Sequence, residues 1–378
     1  MIRLLTVVGA RPQFIKAAAV SREFSARPDL SEILVHTGQH YDENMSDVFF
    51  DELQIPTPAY NLNVGSSSHG QQTAEILLAL ESLLIRERPE VVVVYGDTNS
   101  TLAGALAAAK LQIPVVHVEA GLRSRNRAMP EEINRVLTDH VSDLLLTPTA
   151  SAMENLLAEG ICATDIKVVG DVMYDVSLRA TQTAKAHSTI LERSNVKPAG
   201  FVLVTLHRAE NTDSPFRLRN LVGSLLELAR DLPVVWPLHP RTRAALERER
   251  LVLPPNGGLR VIPPVGYLDM LVLEESAKLI ITDSGGVQKE AYFHSVPCVT
   301  ARDETEWTEL VVAGWNTIAS PASPGALVTA ARAALQFIPP ARPNLYGDGQ
   351  SAGLIADIIA LRYRRPADKQ HEQMQADL

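Results

Sequence analysis

Between Leu279 and Ala291 an apolar run, Leu279-Ile280-Ile281, breaks at Thr282-Asp283-Ser284-Gly285-Gly286 and passes directly into a helical pattern. A short run that is apolar at every position reads as a strand covered on both faces, as in a parallel sheet with helices on each side. Ser284 stands where a helix N-cap belongs. Gly285 and Gly286 lack a Cβ, so a ligand can approach their backbone, and their N–H groups open a helix whose positive end attracts anions. Glu290 follows one turn later, placed to reach a ribose on the same ligand. The segment also serves as a plain strand–turn–helix connection, common in any α/β protein. Its meaning depends on the rest of the chain.

The pattern recurs from the start. Leu4 to Val8 is a short strand that runs into Gly9-Ala10-Arg11-Pro12 and a helix through Phe14, Ile15 and Lys16. Pro12 suits a first helical turn. Arg11 and Lys16 therefore lie near the carboxyl end of the first strand, where open α/β sheets bind ligands. A helix start disfavours cations unless an anion joins them. Ile33 to Val35 is a second strand, followed by Thr37-Gly38-Gln39-His40. Helices are expected over 42–53 and 71–86, and Val91 to Val94 then ends in Gly96-Asp97. A helix from Thr101 that is nearly all Ala and Leu leads to Val115–Val118, which ends in Glu119-Ala120-Gly121. One strand-end acid is usually an N-cap or a loop residue. Two on successive strands, joined by one helix, are better explained by a site. Met129-Pro130-Glu131-Glu132 opens a further helix, and its proline and acids are ordinary first-turn chemistry.

Residues 173–200 are mostly helical and polar and read as a bridge. From Phe201 strands and helices alternate again. The strands end in His207-Arg208, in His239-Pro240-Arg241, in Pro263-Pro264, at Asp283, and before Arg302-Asp303. Each half is thus its own doubly wound sheet, over residues 1–172 and 173–349. A last helix is expected over about 350–365 and a disordered polar tail over 366–378. A ligand held by both halves would lie in the cleft between them.

The formal net charge of −9 argues against nucleic acid or an anionic membrane as the main partner. Cys162 and Cys298 are far apart and fit no metal spacing. Their apolar flanks suggest buried thiols in a reducing cytosol. No apolar run has signal-peptide or membrane-spanning length, so a soluble cytoplasmic protein is expected. Neither half carries Gly-x-Gly-x-x-Gly after its first strand, and P-loop, Gly-x-Ser-x-Gly and metal-ligand patterns are missing, so no cofactor or metal is expected. What remains is a polyanion site made of Arg11, His207 and the helix start at Ser284 to Gly286. Facing it are Asp97, Glu119 and Glu131. Anion-binding groups opposite acid/base groups suit chemistry at the non-phosphate end of a phosphorylated ligand, such as a nucleoside-diphosphate sugar.

These residues carry a resemblance. Gly9-Ala10-Arg11-Pro12, Thr37-Gly38-Gln39-His40, Gly96-Asp97-Thr98, His117-Val118-Glu119-Ala120-Gly121-Leu122-Arg123, Pro130-Glu131-Glu132-Ile133-Asn134-Arg135, Thr205-Leu206-His207-Arg208-x-Glu210-Asn211 and Thr282-Asp283-Ser284-Gly285-Gly286-x-Gln288-x-Glu290 resemble the non-hydrolysing UDP-N-acetylglucosamine 2-epimerases, in order from the first strand to about Glu309. The resemblance implies a GT-B fold, with two Rossmann-like domains, the last helix returning to the first, and the active site in the cleft. It implies that the proton at sugar carbon 2 is removed and UDP expelled to give a 2-acetamidoglucal, to which UDP returns while a proton arrives on the opposite face. By motif, Asp97, Glu119 and Glu131 become the acid/base set. His207 and Arg11 stabilise the diphosphate, with Lys16 beside them. Ser284, Gly285 and Gly286 hold phosphate oxygens, and Glu290 holds the ribose. Gln39 and His40 match the motif lining a second UDP-sugar that activates some bacterial members. A homodimer in a polysaccharide-precursor pathway is implied in the same way.

One departure stands out. Many members carry Thr-Glu-Arg-Pro-Glu where this chain has Thr305-Glu306-Trp307-Thr308-Glu309, and a tryptophan cannot replace the arginine's charge. Trp307 marks either a variant that binds the parent substrate or an enzyme for a related sugar, such as a UDP-2,3-diacetamido-glucuronate. A GT-B glycosyltransferase would share the fold but needs an acceptor groove. A hydrolysing epimerase would release free N-acetylmannosamine. A non-catalytic sensor would gain nothing from strand-end acids.

Overall fold

The computed structural model covers residues 1–39, 57–254, 257–336 and 342–364. His40, the helix expected over 42–53 and the tail from 366 lie outside the described residues. The chain divides into two compact units, Met1–Val176 with the chain from Asn344 onward, and Ser177–Pro343.

The first unit is a parallel sheet of β1 (Ile2–Val8), β2 (Leu30–His36), β3 (Tyr60–Asn61), β4 (Val91–Tyr95), β5 (Val115–Val118), β6 (Leu144–Thr147) and β7 (Ile166–Val168). Their order is β3-β2-β1-β4-β5-β6-β7. Val91 to Tyr95 are buried at every position, as a strand covered on both faces must be. Helix His69–Glu87 lays Ile76, Leu80, Leu83 and Leu84 on the sheet, against Val7, Val92 and Val94. Each such fully buried side chain contributes about 1.5–3 kcal/mol. Helix Asn99–Lys110 packs beside it and helix Pro130–Val141 beside that one. Helix Ser351–Tyr363 packs on helix Arg11–Ser25, with Arg362 donating to the Asp143 carbonyl at 3.0 Å and to Asp165 at 2.8 Å.

The second unit is a parallel sheet of β8 (Val202–Thr205), β9 (Val234–Pro237), β10 (Leu259–Ile262), β11 (Leu279–Thr282), β12 (Cys298–Thr300) and β13 (Asn316–Ile318), in the order β10-β9-β8-β11-β12-β13. Val202, Val204 and Ile281 join one core cluster with Leu218, Leu221 and Leu225. Leu203, Ile280 and Val235 join the other, with Val272, Leu273 and Ala291. Strand period two therefore splits a continuous apolar run between two helical layers. Cys298 lies in the second of these clusters, whereas Cys162 is exposed. Cys162 thus departs from the expected buried thiol, because it precedes a surface turn, Ala163–Asp165, rather than a strand.

Strand order fixes where each unit can bind a ligand. In the first unit the order reverses direction between β1 and β4, and in the second between β8 and β11. Doubly wound sheets bind ligands at the carboxyl ends of such strand pairs, where the connections leave to opposite sides and open a crevice.

Candidate active site

At the first switch point β4 ends in Gly96, whose φ of +62° lies in the left-handed region. Thr98, not Asp97, caps the next helix: its Oγ1 accepts the Thr101 N–H at 3.3 Å. The capping role is thus filled, and the half-buried Asp97 carboxylate is used elsewhere. It accepts from Arg135 Nη2 at 2.5 Å, while Asn134 Nδ2 donates to the Asp97 carbonyl at 3.0 Å. Arg135 is itself held by Glu132 at 2.8 Å, and Glu132 accepts the N–H groups of Ser124 and Arg125 at 2.9 and 2.8 Å. Desolvation pushes the Asp97 carboxyl above its ordinary value against the pull of Arg135, and the neighbouring Glu119 adds to the push.

Glu119 leaves β5 with φ +70°, a conformation that costs a non-glycine residue about 1–3 kcal/mol and collects at functional sites. Its carboxylate pairs with the Lys16 ammonium, and both side chains are largely buried. A Cβ on Gly96 would stand 3.7 Å from Lys16 Nζ, so the lysine sits against the Asp97 turn as well. The structure therefore brings together Asp97, Glu119 and Lys16. Gln13, which the sequence did not single out, ties β1 to β4. Its Oε1 accepts the N–H groups of Gly9 and Ala10 at 2.8 and 3.0 Å, and its Nε2 donates to the Tyr95 carbonyl at 2.7 Å. Arg11 opens the same helix, but its side chain lies outside the described residues. Glu131 is exposed on the first turn of helix Pro130–Val141, whereas Glu132 is buried. Gln39 is buried, its Oε1 accepting from Ser100 N at 3.1 Å and Ser100 Oγ at 2.6 Å.

At the second switch point the fully buried Asp283 organises the turn after β8. Its carboxylate accepts the N–H groups of His207 and Arg208, each at 3.0 Å, and Asn211 Nδ2 at 3.0 Å. His207 Nδ1 lies 3.6 Å from Asp283 Oδ1, too long for a hydrogen bond, and the ring stacks at 5.2 Å on His239. Burial lowers the His207 imidazole below its ordinary value, and Asp283 only partly offsets this. The ring is thus neutral near neutral pH. Ser284 occupies the N-cap of helix Gly285–Phe293 but makes no side-chain cap bond. The first N–H groups of that helix and the serine hydroxyl are therefore not spent on one another. Glycine serves two different ends here. A Cβ on Gly285 would meet Glu306 Oε1 at 2.2 Å, whereas one on Gly286 would meet only Ser284 Oγ at 3.9 Å. Gly286 is the position that faces open space. Glu290 is buried on the same helix.

Trp307 is buried, and Lys289 Nζ lies 4.2 Å from the centre of its ring. Such a cation–π pair is worth about 0.5–2 kcal/mol, more when desolvated. A cation thus stands beside this helix although residue 307 carries none. The sequence signal was Lys289 itself, one turn after Gly285.

Residues 22–360 match the family model described as UDP-N-acetylglucosamine 2-epimerase. The chain belongs to that family. It is 55% identical over 318 residues to a UDP-N-acetylglucosamine 2-epimerase homolog of Methanococcus maripaludis, covering 83% of this chain and 88% of that one. It is 50% identical over 362 residues to the UDP-2,3-diacetamido-2,3-dideoxy-D-glucuronate 2-epimerase of Pseudomonas aeruginosa, covering 95% and 99%. A crystal structure of the Methanocaldococcus jannaschii UDP-GlcNAc 2-epimerase in complex with UDP-GlcNAc and UDP superposes with a TM-score of 0.85 at 44% identity, covering 95% of this chain and 100% of that one. The fold is accordingly GT-B, and the chain is an isomerase of the 2-epimerase family. No helix among the described residues of this epimerase is long and apolar enough to cross a membrane.

Proposed function

We propose that this epimerase interconverts UDP-N-acetylglucosamine and UDP-N-acetylmannosamine, without a cofactor, as a step in making cell-surface polysaccharide precursors. The observation that carries the reading is the pair of strand-end carboxylates, Asp97 and Glu119, on the neighbouring strands β4 and β5, with Lys16 paired to Glu119 and set against the Asp97 turn.

A proton on sugar carbon 2 is not acidic. Its removal becomes feasible only as the carbon 1–oxygen bond breaks and that electron pair leaves with the UDP β-phosphate. A carboxylate takes the proton, the carbon 2 electron pair forms the carbon 1–carbon 2 double bond, and a 2-acetamidoglucal and UDP result. In the return step UDP oxygen attacks carbon 1 and a carboxylic acid protonates the opposite face of carbon 2. Two faces need two proton-handling groups. Lys16 favours Glu119 as the carboxylate, and desolvation favours the acid form of Asp97, so the two carboxyls suit opposite roles. Glu131, the third member of the set, is exposed at its helix start and completes it by motif. The developing charge on UDP is met by Arg11, by the His207 ring as a neutral donor, and by the N–H groups at Ser284 to Gly286. Glu290 takes the ribose.

A second reading has a specific support, the 50% identity to a diacetamido-glucuronate 2-epimerase. In that reading the chemistry is unchanged, and the Lys289–Trp307 pair offers its cation to the uronate. A second UDP-sugar near Gln39 and His40 would act as activator. Exposed Leu78 and Ile85 on helix His69–Glu87, with Ile133 and Leu137 on helix Pro130–Val141, support a homodimer through these helices. The two free thiols are in keeping with a cytoplasmic setting.

Incubation with UDP-N-acetylglucosamine and no acceptor tests the reading. UDP-N-acetylmannosamine should form with total UDP-sugar conserved. Free N-acetylmannosamine with UDP would mark a hydrolysing enzyme, and no change until an acceptor is added would mark a transferase. Turnover of the diacetamido-glucuronate alone would select the second reading.

A further inference from the structure

His117, on β5, is fully buried, and its side chain reaches the backbone before Asp97. Its Nε2 lies 2.7 Å from the Gly96 carbonyl oxygen, and its Nδ1 lies 2.7 Å from Asp139 Oδ1. A carbonyl oxygen can only accept, so Nε2 must carry a proton. Asp139 Oδ2 accepts from Arg123 Nη1 at 2.7 Å and from Gly121 N at 3.2 Å. An arginine at that distance favours the carboxylate, so Nδ1 must donate as well. From this geometry we infer that His117 donates from both ring nitrogens, to the Gly96 carbonyl and to Asp139, and that this clamp positions the two acid-bearing turns of the active site.

Asp139 is held in turn by its other partners. Arg123 is bound by Glu159 at 2.7 Å, and Glu159 meets His140 at 3.2 Å. Arg123 thus bridges Asp139 and Glu159. Buried charge of this kind costs several kcal/mol per ion unless it is paired and hydrogen-bonded, and Asp139 accepts from His117, Arg123 and Gly121. Burial raises the Asp139 carboxyl, but His117 and Arg123 together hold it below its ordinary value.

What the clamp holds is specific. On one side it fixes the carbonyl of Gly96, at φ +62°, one residue before Asp97. On the other it fixes the N–H of Gly121, two residues after Glu119 at φ +70°. Glu119 holds a conformation that costs a non-glycine residue about 1–3 kcal/mol, so its turn depends on such support. His117 and Asp139 are therefore positioning residues, acting through Asp97 and Glu119 without touching the sugar. The inference rests on the reading that those two acids handle the protons.

Two measurements test it. In wild-type protein labelled with 15N-histidine, the His117 ring should show hydrogen-bonded protons on both nitrogens. A single-proton tautomer would overturn the inference, and this arm needs no variant to fold. Kinetically, Asp139→Ala should lower kcat by about 10²-fold, the scale of a misplacement of ~1 Å, with KM and UDP affinity unchanged. Asp139→Asn can donate to Nδ1 and keep the same contacts, so it should recover most of kcat while losing the proton on Nδ1. Unchanged kcat in Asp139→Ala, or a loss matched by lost UDP-binding sites, would overturn the positioning role. Asp97→Asn run in parallel separates the two levels. Its inactivity beside an active Asp139→Ala condemns the clamp alone. Its full activity condemns the acid assignment and the clamp with it.

Discussion

Arg135 Nη2 donates to Asp97 Oδ2 at 2.5 Å, across thirty-eight residues of sequence. The same guanidinium is anchored on its other side by Glu132, whose oxygens are taken up by the turn at Ser124 and Arg125. Asp97 is thus oriented by a chain of charged hydrogen bonds rather than by helix capping. Such bonds are roughly twice as strong as neutral ones, which suits a carboxyl that must stay in place while it changes charge.

Asp97→Asn, Glu119→Gln and Glu131→Gln should each lower kcat by about 10²–10⁴-fold, the usual worth of positioned acid/base groups. UDP affinity should stay within about twofold, because the UDP-binding groups are assigned elsewhere. Steady-state kinetics with titration of UDP by calorimetry checks both halves. Wild-type rates in all three variants would remove the acid/base assignment.

The two helix-start glycines should separate. Gly285→Ala pushes a methyl into Glu306 Oε1, which Arg302 holds through Oε2 at 2.8 Å, so thermal stability should fall. Gly286→Ala meets no protein atom closer than 3.9 Å and should leave Tm unchanged while weakening UDP binding by about tenfold or more. Equal effects of both on Tm and affinity would contradict the division.

Asp283→Ala should destabilise the second unit. It strips the acceptor from His207 N, Arg208 N and Asn211 Nδ2, at about 1–3 kcal/mol for each donor left buried. His207→Ala spares that framework and should cost mainly kcat, about 10²-fold, as loss of one leaving-group donor. Denaturant unfolding and kcat together distinguish the two, since only Asp283→Ala should move both.

Stability should fall in mild acid through His294. Burial lowers its imidazole from 6.5 to about 4, so the folded chain holds it neutral while the unfolded chain protonates it near 6.5. The contribution is complete above pH 6.5 and is lost as pH falls toward about 4. Its size is on the order of 2–3 kcal/mol after allowing for partial exposure. His294→Gln should flatten unfolding free energy against pH in that window. An unchanged slope would assign the acid sensitivity to other groups.

The sheet strands were legible because parallel strands buried on both faces leave unbroken apolar runs, as at Val91–Val94 and Leu279–Ile281. β3, β7 and β13 were not, since edge strands of two or three residues have no periodicity to read. The acids Asp97 and Glu119 stood out by position at strand ends. Their pairings did not: Arg135 and Lys16 come from separate helices, and nothing local in the sequence says which carboxylate each will meet. Trp307 drew attention as a missing charge, yet the charge lies eighteen residues earlier at Lys289, because a cation–π contact depends on packing and not on spacing.

The most direct measurement is proton NMR of the enzyme with UDP-N-acetylglucosamine in heavy water. Reversible proton removal at carbon 2 predicts deuterium at that position together with a growing UDP-N-acetylmannosamine signal, in both sugars at equilibrium. A new epimer that retains its carbon 2 proton, or an active protein that gives neither exchange nor epimer with any UDP-sugar offered, would contradict it.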